Sequence, residues 1–124
     1  MTLNEYQEQA MSTCMETCDN FAYMMLNLVG EVGEFSSKVA KLIRKGRKQI
    51  TDNGLYSTID GAAFEWTDNE FREELKKEAG DILWQLAGLC RVMGWELEDV
   101  ARGNLNKLAS RQERGVIDGN GDNR

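Results

Sequence analysis

The 124-residue chain contains no histidine and no proline. The first absence removes every site that needs an imidazole: His-based zinc centres, Ser-His-Asp triads, Cys-His pairs and di-iron sites built on Glu-x-x-His. Catalysis, if present, must rest on carboxylates, lysine, cysteine, tyrosine or a bound metal. The second absence permits long unbroken helices, since the strongest helix breaker is missing. Only three cysteines occur, Cys14, Cys18 and Cys90. An odd and sparse set reads as free thiols in a reducing compartment. No apolar run approaches the ~18 residues of a membrane span, and the N-terminus lacks a signal-peptide pattern. The sequence therefore predicts a cytoplasmic protein without membrane attachment. Basic residues are outnumbered, 15 to 21, for a net charge of −6, which argues against nucleic-acid polymers as partners.

What is present is a soluble composition, 41% hydrophobic and 29% charged, with enough chain for one core and one domain over residues 1–124. Thr2 and Glu5 form a capping-box pattern that opens a first helix from Leu3 to about Cys18. Asp19 or Asn20 caps a second, from Phe21 to about Lys45, ended by Gly46. Its apolar residues Phe21, Met24, Leu28, Val32, Phe35, Val39 and Leu42 recur at helical steps of three and four. Gly30 and Gly33 inside it each cost on the order of 1 kcal/mol against Ala and invite a packing or functional reason. From Gly46 to Trp66 the periodicity disappears, and Gly, Asn, Asp, Ser and Thr are frequent. This stretch reads as a loop insertion, in the role of a lid or a partner-packed excursion. Thr67 and Glu70 make a second capping box for a third helix reaching Met93, with Gly94 as its C-terminal cap. A fourth helix spans about Glu96 to Gln112 and stops near Gly115, and the tail that follows reads as irregular. The expected fold is all-α, an antiparallel bundle of about four helices completed by oligomerisation.

The most informative pattern is a pair of carboxylate pairs. Glu31 and Glu34 lie three apart on the second helix, and Glu78 and Asp81 three apart on the third. Residues i and i+3 project to neighbouring points on one helix face, and both pairs sit at the edge of an apolar stripe. Two helices packed side by side could thus aim four carboxylates at one point, a donor set that suits a hard cation such as Mg²⁺ with substrate phosphate and water completing the shell. The alternative is ordinary solvated helix charge. Beyond Glu34 runs a basic series, Lys38, Lys41, Arg44, Lys45, Arg47 and Lys48. Of these, Lys38, Lys41 and Lys45 continue on the face of Glu34. Carboxylates followed by ammoniums along one line suit a ligand with a metal-bound end and further anionic charge, such as a polyphosphate. Glu34 with Lys38 alone would be a common i, i+4 helix pair.

At these residues the sequence resembles the MazG-like nucleoside triphosphate pyrophosphohydrolases of the all-α NTP pyrophosphatase superfamily, whose relatives include dimeric dUTPases and dCTP pyrophosphatases. The likeness rests on Leu28-Val-Gly-Glu-Val-Gly-Glu34 and Glu74-Leu-Lys-Lys-Glu-Ala-Gly-Asp-Ile-Leu-Trp84. It extends through Gly94-Trp-Glu-Leu-Glu-Asp-Val100, Asn104-Leu-Asn-Lys-Leu-Ala-Ser-Arg111 and the ending from Arg114 to Arg124. The resemblance implies that Glu31, Glu34, Glu78 and Asp81 are Mg²⁺ ligands, with Mn²⁺ as a substitute. A carboxylate not fully engaged by the metal, Glu34 with Glu31 beside it, is then expected to orient or deprotonate the attacking water. The resemblance also implies that Asn104 and Lys107 contact a nucleoside triphosphate, with Arg111 one turn beyond, and that cleavage between the α- and β-phosphates gives the monophosphate and pyrophosphate. Lys38 and Lys41 are the expected partners of the outer phosphates. Many members carry Tyr four residues after Asp81, where this chain has Gln85, so this substrate-facing position bears on base preference. The family implies a homodimer or homotetramer. A second reading from another class is a non-catalytic nucleotide-binding or regulatory helical module.

Overall fold

The computed structural model describes residues 1–45, 48–51, 54–57, 64–65 and 69–124. Its packed body is all-α: α1 (Leu3–Met11), α2 (Phe21–Arg44), α3 (Asn69–Val92) and α4 (Leu97–Glu113). The Thr2 capping box forms as its spacing predicts. The Glu5 amide donates to Thr2 Oγ1 at 3.1 Å, and the Thr2 amide donates to Glu5 Oε2 at 2.6 Å. Asn20 caps α2 by accepting from the Tyr23 amide at 2.9 Å. Gly94, at φ +72°, ends the α3 segment in the left-handed region that favours glycine. Gly46, Trp66 and the Thr67–Asp68 part of the second capping box lie outside the described residues.

Two expectations need correction. The first helix stops at Met11 instead of running to Cys18. Ser12 and Thr13 turn their hydroxyls back onto the carbonyls of Gln9 and Ala10, at 2.6 and 2.7 Å, a competing bond that short hydroxyl side chains offer the backbone. A separate 3₁₀ turn then covers Glu16–Cys18. The stretch read as a loop instead carries three short strands, β1 (Lys48–Thr51), β2 (Gly54–Ser57) and β3 (Phe64–Glu65). They form an antiparallel sheet in the order β1-β2-β3, with Gln49 opposite Tyr56 and Tyr56 opposite Glu65. Strands of two to four residues are too short for an alternating pattern to stand out from background.

The helices pack around α3. Met24 of α2 meets Gly88, and Lys38 pairs with Glu74 and Glu78. Partners on α3 descend in number as α2 ascends, so the two helices run antiparallel. Among the described residues the core is a cluster of Met11, Met24, Ala87, Cys90 and Leu97, with Tyr6, Tyr23, Trp84 and Leu89 packed against it. Trp84 therefore serves the core. Its indole N–H donates to the Ala10 carbonyl at 3.0 Å and to Thr13 Oγ1 at 3.1 Å, fastening α3 to the end of α1. The N-terminus of α4 is capped by α1 and not by its own Glu96. Asn4 Oδ1 accepts from the Glu98 amide at 3.1 Å, and Gln7 Oε1 from the Leu97 amide at 3.0 Å. Orphan amides at a helix start require such partners.

Gly88 lies directly beneath the Met24 and Met11 side chains. A Cβ there would stand 2.6 Å from Met24 Cε and 3.3 Å from Met11 Sδ. Both methionines are buried, so they have little room to withdraw. Gly88→Ala is expected to destabilise the protein by about 1–3 kcal/mol, the usual cost of overpacking, measured by urea unfolding. A loss under about 0.5 kcal/mol would show that the thioethers repack freely.

Candidate functional site

Antiparallel packing brings together the two faces that the carboxylate spacing singles out. Carboxylate oxygens of Glu31, Glu78 and Asp81 all lie within 4.8 Å of one another. Glu34 is not one of this trio. It is exposed one turn further along α2, although its charge still reaches Glu31. Burial differs across the cluster: Asp81 is exposed, Glu31 half-buried, and Glu78 only 8% exposed.

Each side chain has its own support. Asn27 donates from Nδ2 to Glu31 Oε1 at 2.9 Å, one turn earlier on the same helix. Lys38 Nζ sits 2.6 Å from Glu78 Oε1 and 3.3 Å from Glu74 Oε2. The sequence suggests Glu34 as the partner of Lys38, but the described ion pairs of this ammonium cross to α3 instead. Glu74 also takes Lys77 at 2.6 Å. The other Glu78 oxygen, Oε2, is buried and meets no hydrogen-bond partner among the described residues. Burial, with the charges of Glu34, Asp81 and Glu78, raises the Glu31 carboxyl above its ordinary value, while the Asn27 hydrogen bond opposes the rise. Tyr6 lies close enough to Asp81 for that charge to add to burial in raising its phenol.

The group fits a hard divalent cation. Octahedral Mg²⁺ at ~2.1 Å from each oxygen places its ligand atoms about 3–4 Å apart, so three carboxylates within the observed spacing can share one ion. A buried carboxylate oxygen without a donor is costly, and a cation would satisfy it. No other group of three such ligands occurs among the described residues.

The remaining predicted contacts are distributed differently. Lys41 is exposed on α2 beyond Lys38, and Asn104 is exposed on α4. Gln85 is 1% exposed and turned inward, with its Oε1 unpartnered among the described residues. It offers no surface to a substrate in this arrangement. The reason is helical phase: seven residues from Glu78, it falls on the same inward face of α3. Lys107 and Arg111 are engaged by the tail. The Arg111 guanidinium, 5% exposed, donates to Asp122 Oδ1 at 3.0 Å and to the Asp122 carbonyl at 3.1 Å, and Lys107 reaches the same carboxylate at 3.4 Å. Arg111, then Lys107, holds the Asp122 carboxyl below its ordinary value. Arg114 and Arg124 close the tail further, onto the carbonyls of Arg124 and Val116. The tail read as irregular is thus folded back against α4. Asn27, Glu74 and Asp122 escape sequence reasoning. The i, i+4 spacing of Asn27 to Glu31 and of Glu74 to Glu78 is an available signal, whereas nothing local points to Asp122.

Comparison with known proteins identifies the family. Residues 20–116, from the cap of α2 past the end of α4, match the model of the MazG nucleotide pyrophosphohydrolase domain. The chain belongs to the MazG family. The matched stretch contains both carboxylate-bearing helices and Lys38. The chain is also similar to the Gene 37 protein of Mycobacterium phage L5, 37% identical over 109 residues, which cover 88% of this chain and 81% of the phage protein. No solved structure matches it. No helix among the described residues is long and apolar enough to cross a membrane.

The raised Glu31 carboxyl has a measurable consequence. The folded MazG chain holds this proton more firmly than the unfolded chain does. The contribution of Glu31 to stability is therefore expected to decline as pH rises above the ordinary value of 4.5 and through the raised folded value. Glu31→Gln should remove that part of the slope, read from denaturant unfolding without divalent cations between about pH 4 and pH 7. An unchanged slope would mean that Glu31 titrates as it does in the unfolded chain.

Proposed function

We propose that this MazG chain is a Mg²⁺-dependent nucleoside triphosphate pyrophosphohydrolase, cleaving between the α- and β-phosphates to release the monophosphate and pyrophosphate. The supporting observation is the convergence of Glu31, Glu78 and Asp81 from two helices around a buried, unpartnered Glu78 oxygen. Mg²⁺, or Mn²⁺ in its place, would supply Lewis acidity toward the phosphates and lower the proton affinity of the attacking water.

The chain's own groups divide the remaining work. Glu31, Glu78 and Asp81 hold the cation, with Glu34 at the exposed margin. Glu34, reachable by water, orients and deprotonates the nucleophile. Glu31, with its raised proton affinity, is the second base in reach. Gly33 and Gly80 have no heavy atoms within 4 Å of where a Cβ would stand, so the surface beside the carboxylates has space for a substrate. Lys38 and Lys41 continue the line of α2 toward the outer phosphates. Asn104, Lys107 and Arg111 meet the nucleotide from α4, and Lys107 and Arg111 would do so by exchanging the Asp122 carboxylate for a phosphate oxygen.

The active form is a homodimer or homotetramer. Leu26 and Val29 of α2 are 67% and 72% exposed, and Phe21, Met25 and Val32 lie open beside them. An apolar row of this extent is what a subunit interface covers. Replacing Leu26 and Val29 together by Glu is expected to shift the protein toward monomer in sedimentation velocity. Unaltered sedimentation would place the interface elsewhere. The working compartment is the cytoplasm, where nucleoside triphosphates are abundant and thiols stay reduced.

The function is tested by assaying Glu31→Gln and Asp81→Asn with Mg²⁺ over the common NTPs and dNTPs. Loss of even an outer-shell partner of a metal costs about 10- to 100-fold, so loss of a ligand is expected to cost at least about 100-fold in monophosphate release. Wild-type rates in both variants would refute the site. Tight nucleotide binding by the wild-type chain without product would favour the non-catalytic module instead.

A further inference from the structure

One basic side chain stands inside the carboxylate seam, and its position is odd for a residue that serves only the substrate. Lys38 Nζ is 2.6 Å from Glu78 Oε1, and Glu78 is the most buried of the three clustered acids. The same ammonium lies 3.3 Å from Glu74 Oε2. Glu74 precedes Glu78 by one turn of α3, is more exposed, and does not belong to the cluster. Its other oxygen, Oε1, is held by Lys77 at 2.6 Å. One ammonium is therefore shared between a buried carboxylate that a cation would need and a half-exposed carboxylate, held by Lys77, that it would not.

We infer that Lys38 is the resident counter-ion of the cluster, neutralising Glu78 until a divalent cation displaces it onto Glu74. This rests on the cation-site reading given above. The physical argument has three parts. Three carboxylates within 4.8 Å of one another repel, and a half-buried seam screens them poorly. A positive side chain hydrogen-bonded to the most buried of them offsets that repulsion and makes the helix pairing tolerable before any ion arrives. Once a divalent cation takes Glu78, its charge repels the ammonium, and Glu78 has less electron density to offer it. Glu74 then becomes the better acceptor. Lys77 keeps its carboxylate in place, so the ammonium moves between two partners on one face without entering bulk water. The exchange has two effects. It weakens cation affinity, because the ammonium on Oε1 competes with the cation for the charge of the Glu78 carboxylate. It also frees Lys38 for the anionic ligand at the moment the cation is seated.

The experiment is calorimetric titration of the full chain with Mn²⁺, without nucleotide, so that the readout is affinity and not turnover. Lys38→Met removes the competitor and is expected to bind Mn²⁺ about 2- to 5-fold more tightly, the range set by one partly exposed ion pair. Lys38→Arg keeps the charge and should stay near wild type. Glu74→Gln removes the alternative partner, confines the ammonium to Glu78 and should weaken Mn²⁺ binding by a similar factor. That weakening should shrink when Lys38→Met is also present, because Glu74 acts through Lys38. A structural role for Lys38 would move both single variants in the same direction. Unchanged or weaker binding by a folded Lys38→Met variant overturns the inference and leaves the cation site standing. If Lys38→Met does not fold, Glu74→Gln binding as tightly as wild type or tighter overturns it. Absence of Mn²⁺ binding by the wild-type chain would overturn the cation site itself.

Discussion

The structure turns on the antiparallel contact of α2 with α3. Met24 against Gly88 sets how close the two helices come, and that closeness places Glu31 beside Glu78 and Asp81. Hydrophobic packing at one end of the seam thereby enforces an electrostatically unfavourable gathering further along it. Stability and chemistry are coupled through one interface. The burial that holds the helices together is the burial that raises Glu31 and strands an oxygen of Glu78. Lys38 and Asn27 are the local compensation, one a charge and the other a hydrogen-bond donor. A seam of this type is expected at functional sites, which violate local rules that the rest of a fold obeys.

Much of this arrangement is legible in the order of the amino acids alone. The i, i+3 spacing of each acidic pair, and its position at the border of an apolar stripe, suffices to place three of the four carboxylates together. Cap signals at Thr2, Asn20 and Gly94 locate helix ends to within a residue or two. The failures have physical causes. Ser12 and Thr13 end α1 because their hydroxyls bond to the backbone, a choice that apolar periodicity does not register. The small sheet depends on pairing between segments whose own patterns are too brief to read, although Asp52 and Asn53, two turn-forming residues, stand between β1 and β2 in the sequence. Gln85 resembles a substrate contact because of its distance from Asp81, but its phase is that of Glu78. The partners of Lys107 and Arg111 lie more than ten residues away, across a turn whose geometry sequence spacing does not give.

The carboxylate seam and the apolar face of α2 belong to the same 24-residue helix. One side of α2 carries Glu31 and Lys38 toward α3, while another carries Leu26 and Val29 outward. This explains why a single apolar stripe is an incomplete description of α2. Only Met24 is fully buried in it, and the remaining apolar residues are divided between the core and the exposed face. Native domains have little stability to spare, so a surface that adds burial through a second copy would also hold the carboxylate-bearing helix in place.

The capping of α4 by Asn4 and Gln7 bears on the order in which the molecule assembles. Nine residues are too few for α1 to persist as a free helix in water. The bonds that secure it reach across 90 and 94 residues of sequence to Leu97 and Glu98, and across 80 to Ala87 and to Arg91. During synthesis on a ribosome, α1 emerges before α3 and α4 and must therefore wait for both before these bonds can form. Its bonds form in two stages, first with α3 through Trp84, Ala87 and Arg91, and then with the start of α4 through Leu97 and Glu98.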